Sequence, residues 1–293
     1  MDIKSYLQLM RPANLVTAVA DIMAGMAISG FLFEINFSCF QTVLILSMST
    51  IGLYGGGVVF NDVFDAKLDA IERPERAIPS GRVTLMEATI LALVLLVVGI
   101  LLAGLISFQS AMIALSVALL AVIYDRFGKH NAILGPINMG LCRGGNLLLG
   151  ISVLPNAVEQ WWYLGIIPVV YIAAVTMVSR GEVHGGNPKT LYFAGFLYVS
   201  VSICQVFFAY QLGNLWLTVA LVITHLYMIF RPLLVAIQNP IGPNIGKAVK
   251  AGVISLIIMD AAWVGVAGNW AVALVVVLLL PISIRLAKIF AVT

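Results

Sequence analysis

The chain has 293 residues, of which 61% are hydrophobic and 10% charged, with a formal net charge of +3. A water-soluble globular domain of this length does not have that balance, so an integral membrane protein is expected, and so small a positive excess calls for no nucleic-acid partner. The cysteines, Cys39, Cys142 and Cys204, sit far apart in apolar runs, offering neither a disulfide framework nor a metal spacing; they are read as small packing residues. Three histidines, at 130, 184 and 225, are too few for a His-built metal centre.

Apolar runs long enough to cross about 30 Å of hydrocarbon as helices divide the chain into ten candidate spans. They cover residues 13–33, 38–60, 83–106, 108–124, 131–154, 160–179, 190–212, 214–237, 249–267 and 269–292. Only Gly268 and Asn269 separate the last two, so either a helical hairpin or one broken helix closes the chain, and nine or ten spans are expected. The first run lacks a small-residue cleavage site and reads as a span rather than a signal peptide.

Positive residues near span ends mark the cytoplasmic side. Lys4 and Arg11 precede span 1, Lys67, Arg73, Arg76 and Arg82 follow span 2, and Arg126 and Lys129 follow span 4. Arg180, Lys189, Arg231, Lys247, Lys250, Arg285 and Lys288 continue on the same face, and only Arg143 falls inside a span. The N-terminus is therefore placed on the cytoplasmic side of the cell's inner (plasma) membrane, with every long polar connection beside it. A single domain, 1–293, is expected. Spans 1–4 and 5–8 suggest two repeats, 1–130 and 131–240, followed by a C-terminal hairpin over 249–292.

The connection after span 2, NDVFDAKLDAIERPERAIPSG, concentrates charge in an otherwise apolar chain. If the helix continues outward, Asn61, Asp65 and Asp69 follow at i, i+4 and i+8 on one stripe, with Asp62 on its flank. Hard oxygen ligands stacked this way suit Mg²⁺, which keeps waters and is shared with substrate phosphates. Lys67, Arg73, Arg76 and Arg82 supply the opposite charge, and Arg forks match phosphate oxygens. An ordinary solvated loop would explain the basic residues but not the acids. Pro74, Pro79 and Gly81 stop the helix by about residue 72 and fold the arginines back over the stripe.

This segment resembles the first signature of the UbiA superfamily of intramembrane prenyltransferases, N-x-x-x-D-x-x-x-D followed by R-P-x-R-x-I-P-S-G. MRPANLV at span 1 and YDRFGKHN after span 4 resemble further parts of its pattern. The resemblance implies an all-α helix bundle around a central cavity open to the cytoplasmic face. There an isoprenyl diphosphate ionises with Mg²⁺, and a small-molecule acceptor captures the allylic cation. It implies Asn61 and Asp65 as leading Mg²⁺ ligands, with Asp62 and Asp69 next. Diphosphate would be held by Arg73, Arg76 and Lys129, with Lys67 and Arg126 as further candidates.

The second signature departs from the family's paired aspartates. In SRGEVHGGNPKT, Ser179 stands at the first acidic position and Glu182 is the sole carboxylate, while Arg180 and Lys189 match the basic positions and are further candidates to hold diphosphate. Either Glu182, with Ser179 or Asn187, holds a second metal, or one Mg²⁺ with added positive charge suffices; His184 is a ligand, an acid or base, or a plain polar loop residue. CRGGNLLLG and SRGEVHGGN resemble the EboC-like branch, which leaves polar acceptors such as a cyclitol open.

Polar groups inside spans are costly unless they face a cavity or a partner. Asn14, Asp21, Asn138, Arg143, Asn146, His225 and Asp260 are of this kind. Asn14, Asp21, Arg143 and Asn146 are candidate acceptor-binding residues. The competing reading is an Asp21–Arg143 ion pair, with Asp260 joining either network. A non-catalytic prenyl-diphosphate-binding protein or a transporter is the alternative from another functional class. A CDP-alcohol phosphotransferase lacks support because the D-G-x-x-A-R signature is absent.

Overall fold

The computed structural model describes residues 3–34, 36–128, 131, 133–182 and 185–290. Its described residues fold into twelve α-helices. These are α1 (Ile3–Met10), α2 (Pro12–Ile28), α3 (Phe37–Glu72), α4 (Leu85–Gly104), α5 (Phe108–Ile123) and α6 (Leu134–Ile151). They continue as α7 (Ala157–Trp161), α8 (Ile166–Ser179), α9 (Pro188–Gln211), α10 (Leu215–Gln238), α11 (Gly242–Val266) and α12 (Trp270–Ile289). Eight helical stretches are long and apolar enough to cross a membrane. Two expected spans fall short of that measure: α2 has 17 residues, and α6 is diluted by Asn138, Arg143 and Asn146.

The longest helix positions the charged segment. Asn36 caps α3 by accepting from the Cys39 amide at 2.8 Å, and the helix then runs unbroken for 36 residues. At 1.5 Å per residue that is roughly 54 Å, longer than a bilayer with its headgroups, so the last turns carry the charges out of the hydrocarbon. The helix ends at Glu72, because Arg73 precedes Pro74 and is disfavoured in the α conformation. A Thr84–Glu87 capping box then starts α4.

Two expected spans differ in detail. The first stops being α-helical at Ile28, where Gly30 takes φ 87° and a short 3-10 turn, Phe31–Phe33, follows. The sixth is built from α7 and α8 joined by a 3-10 turn at Trp162–Gly165. Hydropathy responds to neither interruption, because both lie within apolar sequence.

Close backbone approach holds the bundle together. A Cβ at Gly25 of α2 would overlap the Leu147 carbonyl oxygen of α6, and one at Gly150 of α6 would overlap the Ile22 carbonyl of α2. In lipid, where apolar burial between helices gains little, such small-residue crossings replace the hydrophobic effect as the source of packing energy. The α3–α4 seam adds a polar tie, Ser49 Oγ donating to the Gly99 carbonyl at 2.7 Å. Helix α11 lies deepest, every residue from Ser255 to Val266 being buried, and it touches α2, α8, α9, α10 and α12.

Candidate active site

The outer turns of α3, the start of α2 and the loop 73–84 meet at one end of the bundle. Asp62 and Asp69 lie seven residues apart, two helical turns, and are both buried. Arg76 returns from the loop between them, its Nη1 2.7 Å from Asp69 Oδ2 and 3.5 Å from Asp62 Oδ1. Arg11 approaches from the other side, Nη2 donating to Asp62 Oδ1 at 2.8 Å. It does so from the left-handed region, φ 51°, just ahead of Pro12. The expected fold-back onto the stripe is therefore present for Arg76, whereas Arg82 turns to Ser5, Gln8 and the Glu75 carbonyl. Arg76 Nε is buried and has no protein partner among the described residues, so a donor is left over for a phosphate oxygen.

Two residues that sequence reasoning did not place in the site belong to it. Arg11 marks topology and belongs to the MRPANLV resemblance in the sequence but carries no site role there, although a basic residue fixed at a helix start by proline supplied the signal. Asp125, in the π-helical turn Tyr124–Gly128 after α5, accepts from Asn61 Nδ2 at 2.8 Å. Because the donor end of that amide is occupied, its oxygen is the end that remains for a metal or substrate. Asp65 sits one turn beyond Asn61, half-buried.

The other basic candidates are spread over the same end. Arg73 caps α3 through its backbone N–H to the Asp69 carbonyl. Lys67, Arg126, Arg180 and Lys189 are exposed. The Arg180 Nη2 donates to the Asn131 carbonyl at 2.9 Å. The Arg126 guanidinium lies over the Phe64 and Phe127 rings at 6.0 and 5.8 Å. Lys129 and His184 lie outside the described residues.

At the second signature, the Ser179 hydroxyl donates to the Thr176 carbonyl within its own helix at 2.9 Å. Glu182 is exposed beyond the end of α8, 3.8 Å from where a Cβ on Gly246 of α11 would stand. Desolvation there holds its carboxyl above the ordinary range, with the Arg73 charge acting in the opposite sense. Arg73, at the end of α3, thus acts electrically on the second signature, so the two charged segments share one region.

Deeper in the bundle, Arg143 Nε pairs with Asp21 Oδ2, both side chains being buried. Asn146 Nδ2 donates to the same Asp21 oxygen at 2.9 Å and to the Ala18 carbonyl at 2.9 Å, while its Oδ1 accepts from Thr50 Oγ1 at 2.6 Å. Asp260 approaches Asp21 and Arg143 electrostatically, and the Tyr54 ring faces the guanidinium at 5.8 Å. The ion pair is thus formed, and Asp21, Arg143 and Asn146 are engaged with one another. Asn14 lies apart on the first turn of α2, half-buried, its carbonyl accepting from Thr17 Oγ1 at 2.7 Å.

Residues 18–241 match the model of the UbiA prenyltransferase family. The chain belongs to that family. Among curated relatives, digeranylgeranylglyceryl phosphate synthase of Methanothrix thermoacetophila is 36% identical over 53% of this chain and 57% of its own length. The enzyme of the same name from Saccharolobus solfataricus is 31% identical over 61% of this chain and 62% of its own. The chain therefore spans about six-tenths of the length of the curated relatives it matches.

Solved structures cover more. One described as giving insight into digeranylgeranylglyceryl phosphate synthase in membranes has a TM-score of 0.66 and 25% identity, over 90% of this chain and 98% of that one. A UbiA homologue from Aeropyrum pernix has a TM-score of 0.69 at 14% identity, covering 85% of this chain and 96% of its own. A UbiA homologue from Archaeoglobus fulgidus, bound to GPP and Mg²⁺, has a TM-score of 0.62 at 14% identity, covering 86% and 99%. UbiA membership and the all-helical fold agree with the resemblance carried by NDVFDAKLDAIERPERAIPSG.

Proposed function

We propose that this UbiA-family chain is an intramembrane prenyltransferase that moves a polyprenyl group from an isoprenyl diphosphate to a small acceptor with the help of Mg²⁺. The observation that carries the reading is the interleaving of Asp62 and Asp69 with Arg11 and Arg76 at the end of α3. That site lies on the cytoplasmic side of the plasma membrane, where the basic residues gather, and α2 and α6 complete ten crossings.

The donor set suits Mg²⁺ held jointly with substrate. Asn61, Asp62, Asp65 and Asp69 offer only oxygen, and no ready-made cluster of three or more His, Cys, Asp or Glu occurs among the described residues. Mg²⁺ favours that arrangement, keeping waters and sharing ligands with phosphates rather than occupying a protein cage. Asn61 and Asp65 would hold it first, with Asp62 and Asp69 joining as their arginines turn to phosphate. Bound there, the ion would neutralise charge building on the departing diphosphate.

In the described arrangement Asp62 and Asp69 have arginines as counterions. With diphosphate bound, Arg76 and Arg11 would turn from Asp62 and Asp69 to phosphate oxygens, which would free these carboxylates to help hold Mg²⁺. Arg73 adds positive charge beside the leaving group, and the helix walls keep water from the allylic cation. Ser179 is already bonded within its own helix, which supports one strong metal site with Glu182 as an auxiliary. The relatives' name supports a phosphorylated glyceryl acceptor. A neutral polar acceptor, as the EboC-like resemblance suggested, is the competitor, and Asn14 on the cluster side of α2 is the acceptor residue retained here.

Labelled geranylgeranyl diphosphate, offered with Mg²⁺ and either geranylgeranylglyceryl phosphate or a cyclitol, tests both levels. Labelled product with the glyceryl phosphate alone is expected. Product only with the cyclitol would reverse the acceptor assignment. Binding without product from any acceptor would favour the binding-protein reading.

A further inference from the structure

We propose that the outward side of the last turns of α3, together with the turn Tyr124–Gly128, binds the phosphate headgroup of an anionic membrane phospholipid. Lys67 and Arg126 would be its cations. This site is separate from the acidic stripe, although it lies on the same helix.

Phe64, Leu68 and Ile71 repeat at i, i+4 and i+7, and are 36%, 44% and 82% exposed. They form one apolar face left partly uncovered among the described residues, and Phe127, 74% exposed, extends it. At about 100° per residue, Lys67 lies just beyond the Ile71 edge of this face, about 40° from Ile71, and Asn61 borders the opposite edge at Leu68, whereas Asp65, Asp69 and Asp62 lie about 100–160° from Phe64. Residues two apart on a helix do not face each other, so Lys67 points away from both Asp65 and Asp69. Arg126 reaches the same face, its guanidinium stacked over Phe64 and Phe127. Both cations are exposed.

Depth identifies the occupant. Phe64 lies 27 residues beyond Phe37, roughly 40 Å along α3, at the far edge of a bilayer about 40–45 Å thick with its headgroups. An aromatic and aliphatic surface carrying two cations at that level matches a phospholipid: glycerol and upper acyl carbons against Phe64 and Leu68, phosphate against Lys67 and Arg126. Stacking on two rings holds the guanidinium at the surface with no carboxylate partner among the described residues. The family resemblance had placed Lys67 and Arg126 with the diphosphate-binding residues. The position of Lys67 around α3 and the stacking of Arg126 on Phe64 and Phe127 favour lipid.

The test uses the full chain in nanodiscs of phosphatidylcholine mixed with phosphatidylglycerol, with photoactivatable versions of each lipid. Preferential labelling by phosphatidylglycerol is expected on residues 64–71 and 124–128. Lys67→Gln should lower that preference about five-fold, and Lys67→Gln with Arg126→Gln about thirty-fold. The affinity of both variants for geranyl diphosphate with Mg²⁺, measured in neutral detergent, should match the wild type. Equal labelling by the two lipids, or an unchanged preference in the variants, would overturn the proposal. A loss of diphosphate affinity would return these cations to the substrate site. The single exposed change at Lys67 keeps the test readable if the double variant is unstable.

Discussion

Replacing Arg76 by Gln tests the counterion exchange most directly. The Arg76 side chain is 10% exposed, and those of Asp62 and Asp69 are 8% and 7%. All three are enclosed enough that bulk water does little to screen them. Asp62 would keep Arg11 at 2.8 Å, but Asp69 would lose the only side-chain cation described beside it. Removing one partner of a buried pair costs roughly 3–5 kcal/mol, because the other charge stays behind uncompensated. Since Asp62 retains a counterion, the lower end, about 3 kcal/mol, is expected. A thermal-shift assay in detergent should therefore show a clearly lowered melting temperature, partly restored by adding Asp69→Asn, since a neutral amide needs no counterion. Mg²⁺ should raise the melting temperature of Arg76→Gln more than that of the wild type, since no arginine then competes for the carboxylates. Diphosphate affinity should fall. An Arg76→Gln protein that melts like the wild type and has the same Mg²⁺ response would refute the exchange.

Four further outcomes follow from the same geometry. Asp65→Asn should abolish turnover while leaving expression and melting close to wild type, and wild-type turnover would remove the stripe from the chemistry. Glu182→Ala should shift the Mg²⁺ dependence of activity to higher concentration, whereas an unchanged curve would strike Glu182 from the metal ligands. Arg143→Met leaves Asp21 and Asp260 buried without their cation and should destabilise by about 3–5 kcal/mol, seen as loss of monodisperse protein on gel filtration; a stable variant weakened only in acceptor affinity would favour acceptor binding. Gly25→Leu should prevent α2 and α6 from closing, giving aggregated protein, and a normal melting curve would show that the crossing yields easily.

Much of the site was legible because a few residues force local structure. Asn61, Asp65 and Asp69 repeat at helical spacing, and Pro74 dictates a stop near Glu72, so both the stripe and the fold-back were readable. Counterion choice was not, since Arg11 and Asp62 are 51 residues apart and helical spacing says nothing about such a pair. The roles of Lys67 and Arg126 depend on which side of α3 is covered, which only packing decides. The Asp21–Arg143 pair was readable as one of two options, because a charge in lipid needs a partner; the structure supplies the partner and adds Asn146 and Thr50. Hydropathy marked α11 as another apolar span, but it has no means of ranking spans by enclosure, so its place in the centre was invisible.

That central place bears on how the protein is made. Helices emerge from the ribosome in order, N-terminal segments first, and Asp21 on α2 precedes Arg143 on α6 by more than a hundred residues. Until α6 arrives, Asp21 has no cation, and an isolated carboxylate is costly in the bilayer centre. The early helices must therefore wait in a wet or protein-lined environment. The cation arrives with α6, and the enclosure is completed when α11 emerges late in synthesis and packs against α2 and α8. A nascent chain arrested before residue 134 would hold Asp21 without its cation, whereas one arrested between α6 and α11 would carry the ion pair without the helix that encloses it.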